Sequence, residues 1–164
     1  MDPVKLDLSP ACEADVPVLL RFIRDLAACE KLAHEVVATE EGLRRTLFGE
    51  RRYAEAVLAR LDGAPAGFAL FFHNYSTFLG KPGLYLEDLF VEPEHRGKGI
   101  GKALLRRLAE IALARGCGRV EWAVLDWNAP SIAFYRALGA QAMHDWTVFR
   151  LEGEALRTVA EEAR

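Results

Sequence analysis

The sequence has few cysteines and no long apolar run, and both shortages exclude whole classes of protein. Its three cysteines lack the CxxC spacing of a zinc site and the even number of a disulfide framework: Cys12, Cys29 and Cys117. No apolar stretch approaches the roughly 18 residues that a membrane helix needs, so we expect no membrane partner. The first residues lack the basic and then apolar pattern of a secretory signal. These features predict a cytoplasmic protein.

An excess of positive charge is also missing. Lys and Arg number 21 against 24 Asp and Glu, which gives a net charge of −3. Because nucleic-acid-binding proteins usually carry a basic face, we expect no nucleic-acid partner. The four histidines are scattered without metal-ligand spacing, so we expect no metal. A mildly acidic protein is better suited to a cationic substrate.

Strand-like and helix-like patterns alternate along the chain, which predicts one α/β or α+β layer domain over residues 1–164. The first half of the chain predicts a strand ending at Pro10, a helix over 13–32, a shorter helix capped by Thr39 and a hairpin about Asp62-Gly63. The next part predicts a strand over 84–92, a helix over 100–115 and a strand over 119–127. The last part predicts a helix from Asn128 to Gly139, two short strands about Asp145 and a terminal helix over 154–164.

The stretch "VEPEHRGKGIGKALL" predicts a phosphate site between a strand and a helix. Glycines let the backbone approach a ligand, and the amides at a helix N-terminus favour anions. A Walker A loop would need Ser or Thr after its lysine, but Ala103 follows Lys102. A dinucleotide fingerprint would need a different final glycine spacing. What remains is Arg96-x-x-Gly99-x-Gly101, or a tight turn whose glycines only satisfy backbone geometry.

This loop resembles the coenzyme A loop of GNAT-superfamily N-acetyltransferases. "GLYLEDLFVEPEHRGKGIG", "AVLDWN" and "FYRALGAQ" are similar to the diamine (spermidine/spermine) branch and its thialysine N-acetyltransferase relatives. The resemblance covers nearly the whole chain and is best from Tyr75 to Gln141. It implies the GNAT fold, with a central mixed, mostly antiparallel sheet of about seven strands and flanking helices. It also implies a homodimer.

The resemblance further implies that acetyl-CoA is the co-substrate. The residues expected to bind it are Leu89, Phe90, Val91, Arg96, Gly97, Lys98, Gly99, Ile100, Gly101, Lys102, Asn128 and Ser131. Strand 84–92 is expected to splay from its neighbour and pair with pantetheine, and the Leu89 amide is expected to meet the oxyanion. Asn128 and Ser131 also suit helix capping, and both roles stay open.

Glu87 and Asp88 interrupt an apolar strand. Unless a bulge intervenes, one of them points inward, where an unpaired carboxylate is costly. A structural ion pair or an edge-strand charge is one explanation. The resemblance instead places both acids at the amine site, with Glu87 as the expected base acting through water. Such help is needed because an amine with a pKa of about 10 is protonated at neutral pH.

Three further residues take roles from the resemblance. Tyr135 corresponds to the general acid that protonates the departing thiolate, although a packed tyrosine is the plainer alternative. Glu30 corresponds to an acidic residue that contacts polyamine, and Asp145 stands in for acids that relatives carry nearby. The expected function is acetyl transfer to a primary amine of a diamine, polyamine or thialysine-like amino acid. The alternatives are a peptide or protein N-acetyltransferase and a non-catalytic coenzyme A sensor.

Overall fold

The computed structural model of the chain describes residues 5–161. The chain forms two compact units, Met1–Leu125 and Asp126–Arg164. The single domain expected from the sequence therefore stays a prediction. The outer ends of the predicted first strand and last helix lie outside the described residues.

The first unit is built on one mixed sheet. Its strands are β1 (Leu6–Pro10), β2 (Glu55–Leu61), β3 (Ala64–Ser76), β4 (Lys81–Val91) and β5 (Val120–Trp122). They lie in chain order across the sheet. The first three interfaces are antiparallel and the β4–β5 interface is parallel. The predicted mixed, mostly antiparallel sheet is confirmed.

The helices flank this sheet or belong to the second unit. The first unit contains α1 (Val16–Cys29), α2 (Glu40–Leu43), which continues as a π-helical turn over Arg44–Phe48, and α3 (Ile100–Ala114). The second unit contains α4 (Ala129–Ala137) and α5 (Gly153–Glu161). No helix within residues 5–161 is long and apolar enough to cross a membrane.

The expected number of strands is wrong. Five strands form within residues 5–161, not about seven, and the two short strands predicted about Asp145 are absent there. Residues 141–152 are exposed and pair with no described strand. An alternating sequence becomes a strand only where a neighbouring backbone completes its hydrogen-bond ladder. β5 is also shorter than predicted, because its pairing with β4 covers three residues.

Two local predictions are confirmed. Asp62 and Gly63 have φ angles of 50° and 85°, so both central residues of the β2–β3 turn are left-handed, as in a type I′ hairpin. Thr39 caps α2, because its Oγ1 accepts a hydrogen bond from the Gly42 N–H at 3.1 Å.

Each face of the sheet carries its own apolar core. On one face, α3 packs its stripe of Ile100, Leu104 and Leu108 against β4 residues such as Leu84 and Leu86. On the other face, α1 contributes Leu19 and Phe22, which pack with Leu58, Phe68 and Phe90. The sheet is thereby fixed from both sides, and β4 runs between the two cores.

Replacing Gly67 with alanine should destabilise the sheet. A Cβ at Gly67 would lie 2.5 Å from the Phe90 carbonyl oxygen on β4, and backbone cannot move aside without opening the β3–β4 ladder. We expect the free energy of unfolding to fall by at least about 2 kcal/mol in urea denaturation. The control Gly42→Ala, where the nearest atom is the Thr39 hydroxyl at 3.2 Å, should change it by less than about 1 kcal/mol. Equal losses in both variants would contradict the steric explanation.

Candidate active site

A bulge in β4 decides where the two strand acids point. Leu70 of β3 pairs with Asp88 and Phe71 pairs with Leu86, so Glu87 is the extra residue. The bulge shifts the alternation of β4, and Asp88 shares the face of its cross-strand partner Leu70. That is the α1 face of the sheet.

Three carboxylates influence one another here. Asp88 is half-buried, Glu87 is exposed, and Glu30 directly follows the last residue of α1. Burial, and to a smaller extent the negative charges of Glu87 and Glu30, raise the pKa of Asp88 to about 6. Burial also raises the pKa of Glu30. The group can therefore attract an ammonium ion and accept a proton close to neutral pH.

Beyond the bulge, one edge of β4 is open. Pairing with β5 ends at Leu86, whereas pairing with β3 continues to Val91. The Glu92 N–H donates to the Ala66 carbonyl of β3 at 2.9 Å. Because N–H groups alternate sides along a strand, those of Leu89 and Val91 point away from β3. They donate no hydrogen bond to another described residue, so the predicted splay of this strand is present.

The glycine loop follows this open edge. Gly97 and Gly99 have φ angles of 76° and 81°, and Gly99 is the N-cap of α3. These left-handed conformations explain why glycine stands at both positions. The N–H groups of residues 97–102 donate no hydrogen bond to any residue in the described part of the chain. They form an amide cluster suited to an anion.

The basic side chains of the loop have different surroundings. The Nε of Arg96 donates to the Val91 carbonyl at 3.0 Å, and its Nη2 lies 3.5 Å from the Cys29 Sγ. Arg96 thus connects the loop to the ends of β4 and α1. The Lys98 Nζ lies 3.3 Å from the His95 Nδ1, and Lys102 is exposed.

One group of possible metal ligands lies beside the loop. Side-chain atoms of Glu92, Glu94 and His95 come within 4.8 Å of one another. Glu92 already accepts a hydrogen bond from the Arg21 guanidinium, which neutralises its charge. The expectation that the reaction needs no metal stays a prediction.

The second unit holds the remaining predicted residues. The Asn128 Oδ1 accepts a hydrogen bond from the Ser131 N–H at 3.3 Å, so the predicted capping of α4 is confirmed. Tyr135 lies in α4, with its ring 5.4 Å from that of Phe134. Asp145 is exposed in a turn. The roles of these residues toward acetyl-CoA or the amine stay predictions.

The sequence reasoning missed two residues on the face that carries Asp88. Tyr85 of β4 pairs with Glu121 of β5 and with Phe72 of β3. Burial raises the pKa of the Tyr85 phenol, and the charges of Glu87 and Glu121 raise it further. Glu121 could have been noticed as a lone acid between apolar residues in "RVEWAV", but its neighbours depend on strand register.

Comparison with known proteins agrees with this geometry. Residues 20–140 match the Acetyltransferase (GNAT) family. A thialysine N-epsilon-acetyltransferase of Bos taurus is 42% identical over 161 residues, which cover 92% of this chain and 94% of that protein. An L-ornithine N5-acetyltransferase of Arabidopsis thaliana is 35% identical and covers 91% of this chain and 85% of its own length.

Among solved structures, an integron cassette protein from the mobile metagenome of V. cholerae superposes with a TM-score of 0.80 at 25% identity. The match covers 95% of this chain and 98% of that one. The resemblance inferred from the glycine loop and its neighbouring motifs is thus confirmed. The chain belongs to the acetyltransferase (GNAT) family and is an N-acetyltransferase.

Proposed function

We propose that the protein transfers acetyl from acetyl-CoA to a primary amine of a small cationic substrate. The observation that carries this proposal is the position of three carboxylates beside an open strand edge. Glu30, Glu87 and Asp88 provide negative charge for an ammonium ion. The adjoining edge of β4 offers unpaired amides for an acyl donor. Few other reactions need both features together.

The residues present fit acetyl-CoA, which supplies an acetyl thioester when bound. The unpaired N–H groups of residues 97–102 suit a pyrophosphate, and a Cβ built at Gly97 or Gly99 meets no atom within 4 Å, so the cradle is open. The Val91 N–H suits an amide carbonyl of pantetheine, which leaves the Leu89 N–H free for the reacting end of the donor. The Leu89 N–H is the group assigned to the oxyanion.

The three acids have different roles toward the amine. Glu87 was expected to be the base, but Asp88 is the better candidate, because it is half-buried and has a pKa of about 6. An ionised Asp88 accepts the ammonium proton through water, and the exposed Glu87 helps to hold the cation. Glu30 adds negative charge from the end of α1.

The residues of the second unit receive their roles from the family resemblance. Tyr135 gives a proton to the departing thiolate, Asn128 and Ser131 contact the coenzyme, and Asp145 contributes to substrate binding. A homodimer rests on the same resemblance.

The relatives support a dibasic substrate. Their names state that they act on thialysine and on L-ornithine, each of which carries a side-chain amine besides its α-amino group. We therefore place the substrate among short diamines, polyamines and basic amino acids.

The test is thiol release from acetyl-CoA by the purified protein with a panel of amines. The panel contains 1,4-diaminobutane, spermidine, thialysine, L-ornithine, lysine and a peptide with a free N-terminus, with mass spectrometry of the products. Saturable transfer of one acetyl group to a small amine supports the proposal. Transfer only to the peptide, or binding of acetyl-CoA without transfer to any amine, would overturn it.

The amide cluster predicts a specific effect of Gly99→Ala. Alanine in this left-handed conformation is strained and re-aims the loop amides, so we expect the acetyl-CoA dissociation constant to rise about tenfold by calorimetry. The matched control is Gly63→Ala, which has a similar φ of 85° and the same empty surroundings but lies in the β2–β3 turn. It should lose about as much stability, roughly 1 kcal/mol, and bind acetyl-CoA normally. If Gly63→Ala also bound acetyl-CoA more weakly, backbone strain alone would explain the loss of binding in Gly99→Ala.

Asp88 predicts linked changes in activity and stability. If its ionised form is needed, kcat/KM falls as the pH drops through about 6, and Asp88→Asn loses most activity and this pH limb. Its pKa is raised above the ordinary value of 3.8, so the folded state binds the proton more tightly than the unfolded state. Ionising Asp88 therefore lowers the free energy of unfolding. This loss grows as the pH rises from about 4 to about 6 and is complete above that pH.

The free energy of unfolding of Asp88→Asn should therefore exceed that of the wild-type protein by about 1–2 kcal/mol at pH 8. At pH 4 the two should differ little, and urea denaturation at each pH measures both values. The control Glu41→Gln, at an exposed position of α2, should change neither quantity. Full activity in Asp88→Asn would return the role of base to Glu87.

Tyr135→Phe tests the assigned general acid. Loss of the phenolic proton should lower kcat by about a hundredfold or more, because general acids contribute that much to catalysis. The acetyl-CoA dissociation constant should stay within about twofold, which separates chemistry from binding. Tyr53→Phe, at a tyrosine 60% exposed, serves as control. Unchanged turnover in Tyr135→Phe would remove this residue from the mechanism.

A further inference from the structure

We propose that Glu121 of β5 binds the second ammonium group of a dicationic substrate and so selects diamines and dibasic amino acids over monoamines. The inference deepens the proposed function and rests on it. It concerns a specificity-determining residue that lies one strand away from the acids on β4. Three features of the described residues support it.

The first feature is the face on which Glu121 lies. Its neighbours Val120 and Trp122 pack against the core beneath α3. Because side chains alternate along a strand, Glu121 points to the opposite face, where it pairs with Tyr85. Tyr85 in turn lies against Phe72 of β3, with ring centroids 5.3 Å apart. Glu121 therefore shares a face with the half-buried Asp88.

The second feature is how the carboxylate is held. The Asn74 Nδ2 donates to the Glu121 Oε1 at 3.0 Å, and the Arg119 Nε lies 2.7 Å from the same oxygen. The Oε2 accepts no hydrogen bond from the part of the chain that the structure describes. One oxygen is thus held by Asn74 and Arg119 and the other accepts no hydrogen bond, so a substrate cation would share this carboxylate with Arg119.

Gly83 makes this arrangement possible. It pairs with Asn74 across the β3–β4 ladder, and a Cβ at Gly83 would clash with the Asn74 Oδ1. The glycine lets the Asn74 amide extend over β4 to reach Glu121 on β5. Asn74 is accordingly a positioning residue for the carboxylate.

The third feature is the spacing. Asp88 lies three residues beyond Tyr85 on β4, and Glu121 lies beside Tyr85 on the next strand. Strand geometry then separates the backbones of Asp88 and Glu121 by about 10 Å. With both side chains extending over the face, this distance suits two ammonium groups joined by a short carbon chain. The Tyr85 ring lies on the same face, beside Glu121 and on the same strand as Asp88, and offers an aromatic surface that suits methylene groups and cations.

The experiment compares two substrates and two variants. The substrates are 1,4-diaminobutane and pentan-1-amine, which has a methyl group in place of the second ammonium. We expect Glu121→Gln to raise KM for the diamine about threefold to tenfold and to leave the monoamine unchanged. Arg119→Gln should lower KM for the diamine about twofold, because it removes the cation that competes for the same carboxylate.

The opposite changes that we expect in KM for the diamine separate substrate binding by Glu121 from a structural role. Both variants lose the Arg119–Glu121 ion pair, so a purely structural ion pair would make them change in the same direction. That result, or an equal effect of Glu121→Gln on both amines, would overturn the role of Glu121 and leave the proposed function standing. If the wild-type protein transfers acetyl to neither amine, the proposed function fails for this substrate class and the inference fails with it.

Discussion

The bulge at Glu87 is the constraint on which the site depends. A regular β4 would keep one alternation along its whole length, and Asp88 would share the α3 face with Leu84 and Leu86. The extra residue changes that alternation between Leu86 and Asp88. Asp88 is thereby directed to the face that also carries Tyr85, and Leu89 is directed to the α3 core. One inserted residue thus reconciles a packed strand with an acidic site.

The bulge also coincides with the end of pairing between β4 and β5. Up to Leu86 both edges of β4 are used, and beyond it only the β3 edge is paired. Unpaired main-chain groups inside a protein are costly unless water or a ligand satisfies them. The N–H groups of Leu89 and Val91 on the open edge, and those of residues 97–102 in the glycine loop, form a series of two donor sets, the second of which lies at the N-terminus of α3. A ligand with amide groups at one end and phosphates at the other suits that series.

Much of this could be predicted from the sequence, because the signals are local. The spacing of Arg96, Gly99 and Gly101 identified the loop, and Asp62-Gly63 identified the hairpin. Strand pairing is not local, which explains the failures. The alternation about Asp145 predicted strands, but no described backbone pairs with that segment. The role proposed for Glu121 could not be predicted, because it depends on register with Tyr85 and on the absence of a side chain at Gly83.

The most direct test of this account is residue-resolved amide hydrogen exchange at Leu89, Phe90 and Val91, measured by NMR with and without acetyl-CoA. The account predicts that in the free protein Leu89 and Val91 exchange much faster than Phe90, whose amide points toward β3. Saturating acetyl-CoA should then slow exchange at Leu89 and Val91 by at least about tenfold, because a bound ligand occupies the open edge. Equal protection of all three amides in the free protein, or no slowing on saturation, would contradict the account.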